Sequence, residues 1–121
     1  MFQIIFNEIS AAEISRLPTM EQLDLLDQFK VTPADLEDGD DEKFAIMERD
    51  GRKLYRFRSE EYRIYFAVEG DSVVVVYRVL HKGTFQDFLF RSKLPLNEDE
   101  ALSDSKHFWQ LIDEGEKARR V

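Results

Sequence analysis

Between Phe44 and His81 the sequence runs with a period of two and is interrupted only by short turn signals. Successive side chains on a pleated strand point to opposite faces, so a run of this kind folds most directly as extended segments doubled back on one another. Strands are expected at about 44–49, 53–58, 62–68 and 73–81. Asp50-Gly51 separates the first two; both residues tolerate the positive φ of a type I′ turn, which makes the pair a strong hairpin signal. Glu69-Gly70-Asp71 marks a later turn. Val73 to Val76 does not alternate, as expected of a central strand covered on both faces. An antiparallel meander is therefore expected at the centre of the fold.

The flanks read as helix. "MFQIIFNEI" at the start alternates enough for one short strand. Ser10 to Glu13 and Thr19 to Gln22 each have the form of a capping box, in which two side chains satisfy free N–H groups at a helix start. The first helix is expected to run to about Leu17; Leu23, Leu26 and Phe29 give the second an apolar stripe. Asn97 to Glu100 reads as a third capping box, ahead of a helix near 104–119 with Phe108, Leu111 and Ile112 on one face and Trp109 beside it. The acidic stretch from Thr32 to Lys43 does not meet the calcium-loop pattern and reads as a solvated loop. The expected class is α+β: an antiparallel meander sheet with two N-terminal helices and one C-terminal helix. A chain of 121 residues suits a single domain, with 94–121 as a helical extension.

The chain has no cysteine, which excludes disulfides, thiolate catalysis and cysteine-ligated zinc. Its apolar runs are too short to span a bilayer, so a cytoplasmic protein without membrane contact is expected. The formal net charge of −8 divides unevenly, −9 over residues 1–51, +4 over 52–93 and −3 over 94–121. A basic centre in an acidic chain attracts phosphate or an acidic partner locally, and argues against loose coating of DNA.

That basic centre includes "KLYRFRSEEYRIYF", residues 53–66. Leu54, Arg56 and Arg58 share one strand face; Arg63, Tyr65 and Ala67 share a face of the next. If the hairpin register brings the two faces together, three guanidiniums and the Tyr65 hydroxyl meet on one surface. The planar fork of arginine holds two phosphate oxygens at once and keeps its charge at any relevant pH. The plain alternative is a solvated face paired with Glu60 and Glu61, which needs no function. His81 and Lys82 close the last strand, where a histidine can move a proton near neutral pH and a lysine can hold phosphate. No spacing links His81 to His107 as metal ligands, and there is no phosphate loop or nucleophile elbow.

The element order, together with R-x-R-S-x-x-Y-R-I-x-F from Arg56 to Phe66 and the valine-rich strand after an acidic turn, resembles the RelE/ParE toxin superfamily of toxin–antitoxin systems. The resemblance is good over about 44–92 and extends to the N-terminal half only in element order. It implies a RelE-like fold and a toxin component acting as a ribosome-dependent, metal-independent mRNA endonuclease and translation inhibitor, or, in the ParE branch, as a gyrase inhibitor. Arg56 and Arg63 would act in catalysis with His81 and Lys82 as proton carriers; Arg58, Arg78 and Lys53 would bind RNA phosphate. The implied partners are an antitoxin protein, the ribosome with its mRNA, and a second copy in a homodimer; no cofactor is implied. Gly83 stands where RelE-type nucleases carry a further arginine, and Phe88, Leu89 and Phe90 stand near their later tyrosine. A catalytically silent RelE-like module that holds an acidic protein segment is the alternative reading.

Overall fold

The computed structural model describes residues 3–38, 43–81 and 98–121. Its elements are β1 (Gln3–Phe6), α1 (Glu8–Ser15), α2 (Thr19–Gln28), α3 (Pro33–Asp38), β2 (Phe44–Arg49), β3 (Arg52–Ser59), β4 (Tyr62–Glu69), β5 (Val73–His81), α4 (Glu98–Ser103) and α5 (Lys106–Lys117). The class is α+β. The sheet order is β1-β5-β4-β3-β2, with β2 to β5 paired antiparallel in sequence and β1 added parallel to β5. The expectation of an antiparallel sheet is thus corrected: the first strand returns to the far edge and makes the sheet mixed. Among the described residues two more helices are present than expected: α3 ahead of β2, and α4 ahead of α5, which itself matches the helix expected near 104–119.

Turn chemistry explains the meander. Asp50 and Gly51 have φ of 54° and 78°, so both central residues of the β2–β3 turn occupy the left-handed region as type I′ requires. Across β4 and β5 the register slips at Tyr65/Phe66, where Tyr77 is the extra residue of a bulge. Val74, Val75 and Val76 are all buried, because β5 lies between two strands and beneath helices on both sides. One face of the sheet packs Phe44, Phe57, Ile64 and Phe66 against Ile14, Leu25 and Phe29 of the N-terminal helices. The other packs Met47, Leu54, Tyr65 and Leu80 against Leu102, Phe108, Trp109 and Ile112 of α4 and α5.

Helix starts depart from the expected caps. Asn7, three residues before Ser10, caps α1: its side chain accepts from the Ser10 N–H while the Ser10 hydroxyl accepts from the Asn7 N–H. Asn7 Nδ2 also donates to the carbonyls of Val76, Tyr77 and Gly115, so the β1–α1 junction is tied both to the bulge and to α5. Helix α2 begins after Pro18 without a side-chain cap. The Gln22 amide donates to the Leu17 carbonyl at 2.8 Å, and Glu21 and Gln28 meet Tyr62 and Ser59 of the sheet. That rotation buries Leu25 and Phe29 and leaves Leu23 57% and Leu26 41% exposed, contrary to the stripe expected from spacing. The acidic stretch, expected as a solvated loop, includes α3, and Thr32 and Asp35 bond reciprocally at its start. Residues 39–42 and Asn97 of the expected third capping box lie outside the described residues. No helix among the described residues is long and apolar enough to cross a membrane.

Candidate phosphate-binding face

Register decides which arginines meet. Arg58 lies opposite Arg63 and Arg56 opposite Tyr65, so all four side chains lie on the face that α4 and α5 cover. Arg56 has no exposure and is the largest fully buried side chain. It reaches a partner that sequence reading did not propose: Nε and Nη2 donate to the two Asp99 oxygens at 3.2 and 2.8 Å, and Nη1 to the Lys43 carbonyl. Arg63, 8% exposed, donates through Nε to Glu98 Oε2 at 2.8 Å and through Nη1 to the carbonyls of Glu60 and Tyr62. The same Glu98 oxygen lies 3.7 Å from Arg58 Nη2. Three arginines thus converge, and the first turn of α4 supplies their counter-charges. Of the alternative partners, Glu60 meets this face through its carbonyl, which accepts from Arg63 Nη1 at 2.8 Å.

Two buried donors in this cluster lack a bonding partner among the described residues, Arg58 Nε and the Tyr65 hydroxyl. Burial pushes the Tyr65 hydroxyl well above its ordinary pKa; Glu98 and Asp99 push the same way, against Arg63 and Arg56. Tyr65 therefore stays a neutral donor at any pH near neutrality. Tyr62, on the opposite face, is pushed up to about 12, chiefly by its 2.7 Å hydrogen bond to Glu21. Tyr77 is also raised, first by burial and then by Glu116 and Glu69.

A titration prediction follows for three of the four tyrosines. In the unfolded chain they lose protons near the ordinary value of about 10, before the folded chain does. Folding stability is accordingly level below that pH and falls as pH rises beyond it, because the unfolded state binds fewer protons there. Tyrosinate absorbance should rise late and with the loss of folded signal. Titration of Tyr62, Tyr65 and Tyr77 near the ordinary value in the native protein would contradict the geometry.

The remaining expected site residues are dispersed. Arg78 turns to the sheet edge, where it meets both oxygens of Glu13, the Leu111 carbonyl and Glu114. Glu13 also accepts the Val79 N–H, so this cluster joins α1, β5 and α5 as a staple. Lys53 is on the other face of β3, with its ammonium 5.1 Å from the Tyr55 ring centre. His81 packs edge-on against Tyr62 and has Nε2 3.2 Å from Glu61, also away from the arginines. Lys82, Gly83 and Phe88 to Phe90 lie outside the described residues. At the β2–β3 turn lies an open cleft of about 670 Å³, lined by the cations Arg49, Arg52 and Lys106 and by the carboxylates Asp50 and Asp113. There Arg52 is engaged by Asp113 and Glu116.

Glu98 and Asp99 were missed because they stand 35 and 43 residues from their arginines, within a segment that reads as an ordinary acidic helix start. Comparison with known proteins finds no matching family model, no matching curated protein and no matching solved structure.

Proposed function

We propose that the chain is a RelE-like toxin component that acts on RNA, with the face of Arg56, Arg58 and Arg63 as its phosphate site. The observation that carries this reading is the convergence of three guanidiniums on one sheet surface with a phenol that has no bonding partner among the described residues. In the cleavage such a face suits, a ribose 2′-hydroxyl attacks the adjacent phosphorus and the bond to the 5′-oxygen breaks. Charge builds on the phosphoryl oxygens, and fixed cations in a dry site stabilise it more than water does. Tyr65, kept protonated, suits hydrogen bonding to those oxygens. His81 faces away from this surface, so Lys82 is the remaining proton carrier of the original pair. An antitoxin, the ribosome with its mRNA, and a second copy of the chain remain the proposed partners.

A second reading has its own support. Glu98 and Asp99 seated on the arginines favour a silent module whose basic face holds carboxylates of an acidic protein segment. Expression of the wild type beside Arg58→Ala separates the two. Arg58 is partly exposed and weakly paired, so its removal leaves the fold intact. The RNA-directed reading expects growth arrest with new mRNA 5′ ends, both reduced by at least about tenfold in the variant. Healthy growth and intact mRNA from folded wild-type protein would overturn it in favour of the binding module.

A further inference from the structure

The carboxylates on the arginine face come from one turn of one short helix. Glu98 Oε2 and both Asp99 oxygens present three acceptor atoms to Arg63, Arg58 and Arg56. Among the described residues, they leave Arg58 Nε and the Tyr65 hydroxyl buried without a bonding partner. A buried donor without a partner loses its hydration and recovers nothing, so a face shaped only to seat this helix would not be expected to keep two. A phosphodiester backbone brings further acceptor oxygens to the same cations and can satisfy both.

The opposite end of α4 is held differently. Ala101 and Leu102 are buried, the Ser103 carbonyl accepts from the Trp109 indole at 2.8 Å, and the Leu102 carbonyl accepts from the Ser105 N–H. In the first turn, Glu98 and Asp99 meet the sheet through ion pairs, and neither is an apolar side chain. In a helix of six residues, that turn can unwind while the last remains packed.

We infer that the first turn of α4 is an internal competitor for phosphate: Glu98 and Asp99 occupy the seats of Arg56, Arg58 and Arg63, and single-stranded RNA reaches that face by displacing them. This rests on the RNA-directed reading above and adds that the chain carries its own inhibitor. The exchange is ionic at both ends, one pair of anions replaced by another. It therefore needs no rearrangement of the apolar layer beneath α5.

The test uses the full chain and a fluorescently labelled, mixed-sequence single-stranded RNA, with binding followed by anisotropy at fixed salt. Compared are the wild type, Glu98→Gln with Asp99→Asn, and that double variant with Arg58→Ala added. The amides keep the shape of the acids and one of their two acceptor oxygens while removing the charge, and thermal melting checks that each variant folds. The double variant should bind at least about tenfold more tightly than the wild type, and adding Arg58→Ala should remove most of that gain. Equal RNA affinity of wild type and double variant, with Arg58→Ala weakening binding, would overturn the competitor and leave the RNA-directed reading standing. Absence of RNA binding by every form would overturn both.

Hydrogen exchange on the wild type gives a second measurement that no substitution can disturb. The helical acceptors for the Leu102 and Ser103 amides are the carbonyls of Glu98 and Asp99. RNA should speed exchange at those two amides while Phe108 to Ile112 stay protected. Unchanged protection at Leu102 and Ser103 in an RNA-bound chain would overturn the inference.

Discussion

Arg56→Ala is expected to lower folding stability by about 3–5 kcal/mol, through loss of a buried ion pair and the cavity left behind. The side chain is fully buried and bonded to both Asp99 oxygens and to the Lys43 carbonyl, so alanine removes partners from three acceptors at once. Asp99 keeps about a fifth of its side-chain surface exposed and can turn partly toward water, which places the effect short of a sealed charge. Arg56→Met separates volume from charge. It keeps most of the packing but removes the same bonds to Asp99 and the Lys43 carbonyl as alanine does, so it should recover only the cavity part of the loss, about 1–2 kcal/mol. Urea unfolding of the two variants measures the difference; equal losses would mean that packing and cavity play no part at this position.

Gly115→Ala should destabilise the protein by about 2 kcal/mol, although the same change in an exposed helix interior is stabilising by about 1 kcal/mol. A Cβ at 115 would lie 2.4 Å from the Tyr77 oxygen and 2.8 Å from its carbonyl carbon. Both atoms are backbone, fixed at the bulge where Asn7 also binds. Helix α5 would have to move outward, pulling the Gly115 carbonyl from Asn7 Nδ2, now 2.7 Å away, and lifting Phe108 and Ile112 from the sheet. The opposite signs make the experiment decisive. A lower urea midpoint with unchanged slope supports the close approach, and a raised midpoint would show that α5 does not sit against the bulge.

The same bulge shows where sequence reading stopped. The Asp50-Gly51 turn was legible because its requirement for positive φ falls on two adjacent residues that signal it. The Glu60-Glu61 turn is equally tight, yet carries no glycine or asparagine, and Glu60 takes a φ of 48° in a place marked only by the gap between two strands. Strand β1 was legible as a strand but not as the parallel neighbour of β5, because four residues carry no record of their partner. Helix α2 was legible in position and wrong in rotation. Its contacts with the sheet are made by Glu21, Leu25 and Gln28, and polar sheet contacts defeat a count of apolar spacing.

The candidate site was legible by half. Residue type and strand period placed Arg56, Arg58, Arg63 and Tyr65, and only the register, which side chains on two strands settle jointly, was left open. Arg78, Lys53 and His81 were expected to act with them. A strand sends neighbours to opposite faces, and an arginine at a bulged edge can reach a helix instead of its cross-strand neighbour. Those two effects separate Lys53, His81 and Arg78 from the cluster.

The claim that the arginine face is where RNA meets this protein is tested most directly by photo-crosslinking. Mixed-sequence RNA carrying thiouridine would be irradiated with the full chain, and the adducts mapped by mass spectrometry after digestion. Crosslinking is irreversible, so product accumulates even if the α4 turn leaves the face only briefly. Adducts in the β3 and β4 segments that carry Arg56, Arg58 and Tyr65 are the predicted result. Adducts confined to the cleft of Arg49 and Lys106, with none on those strands, would contradict it.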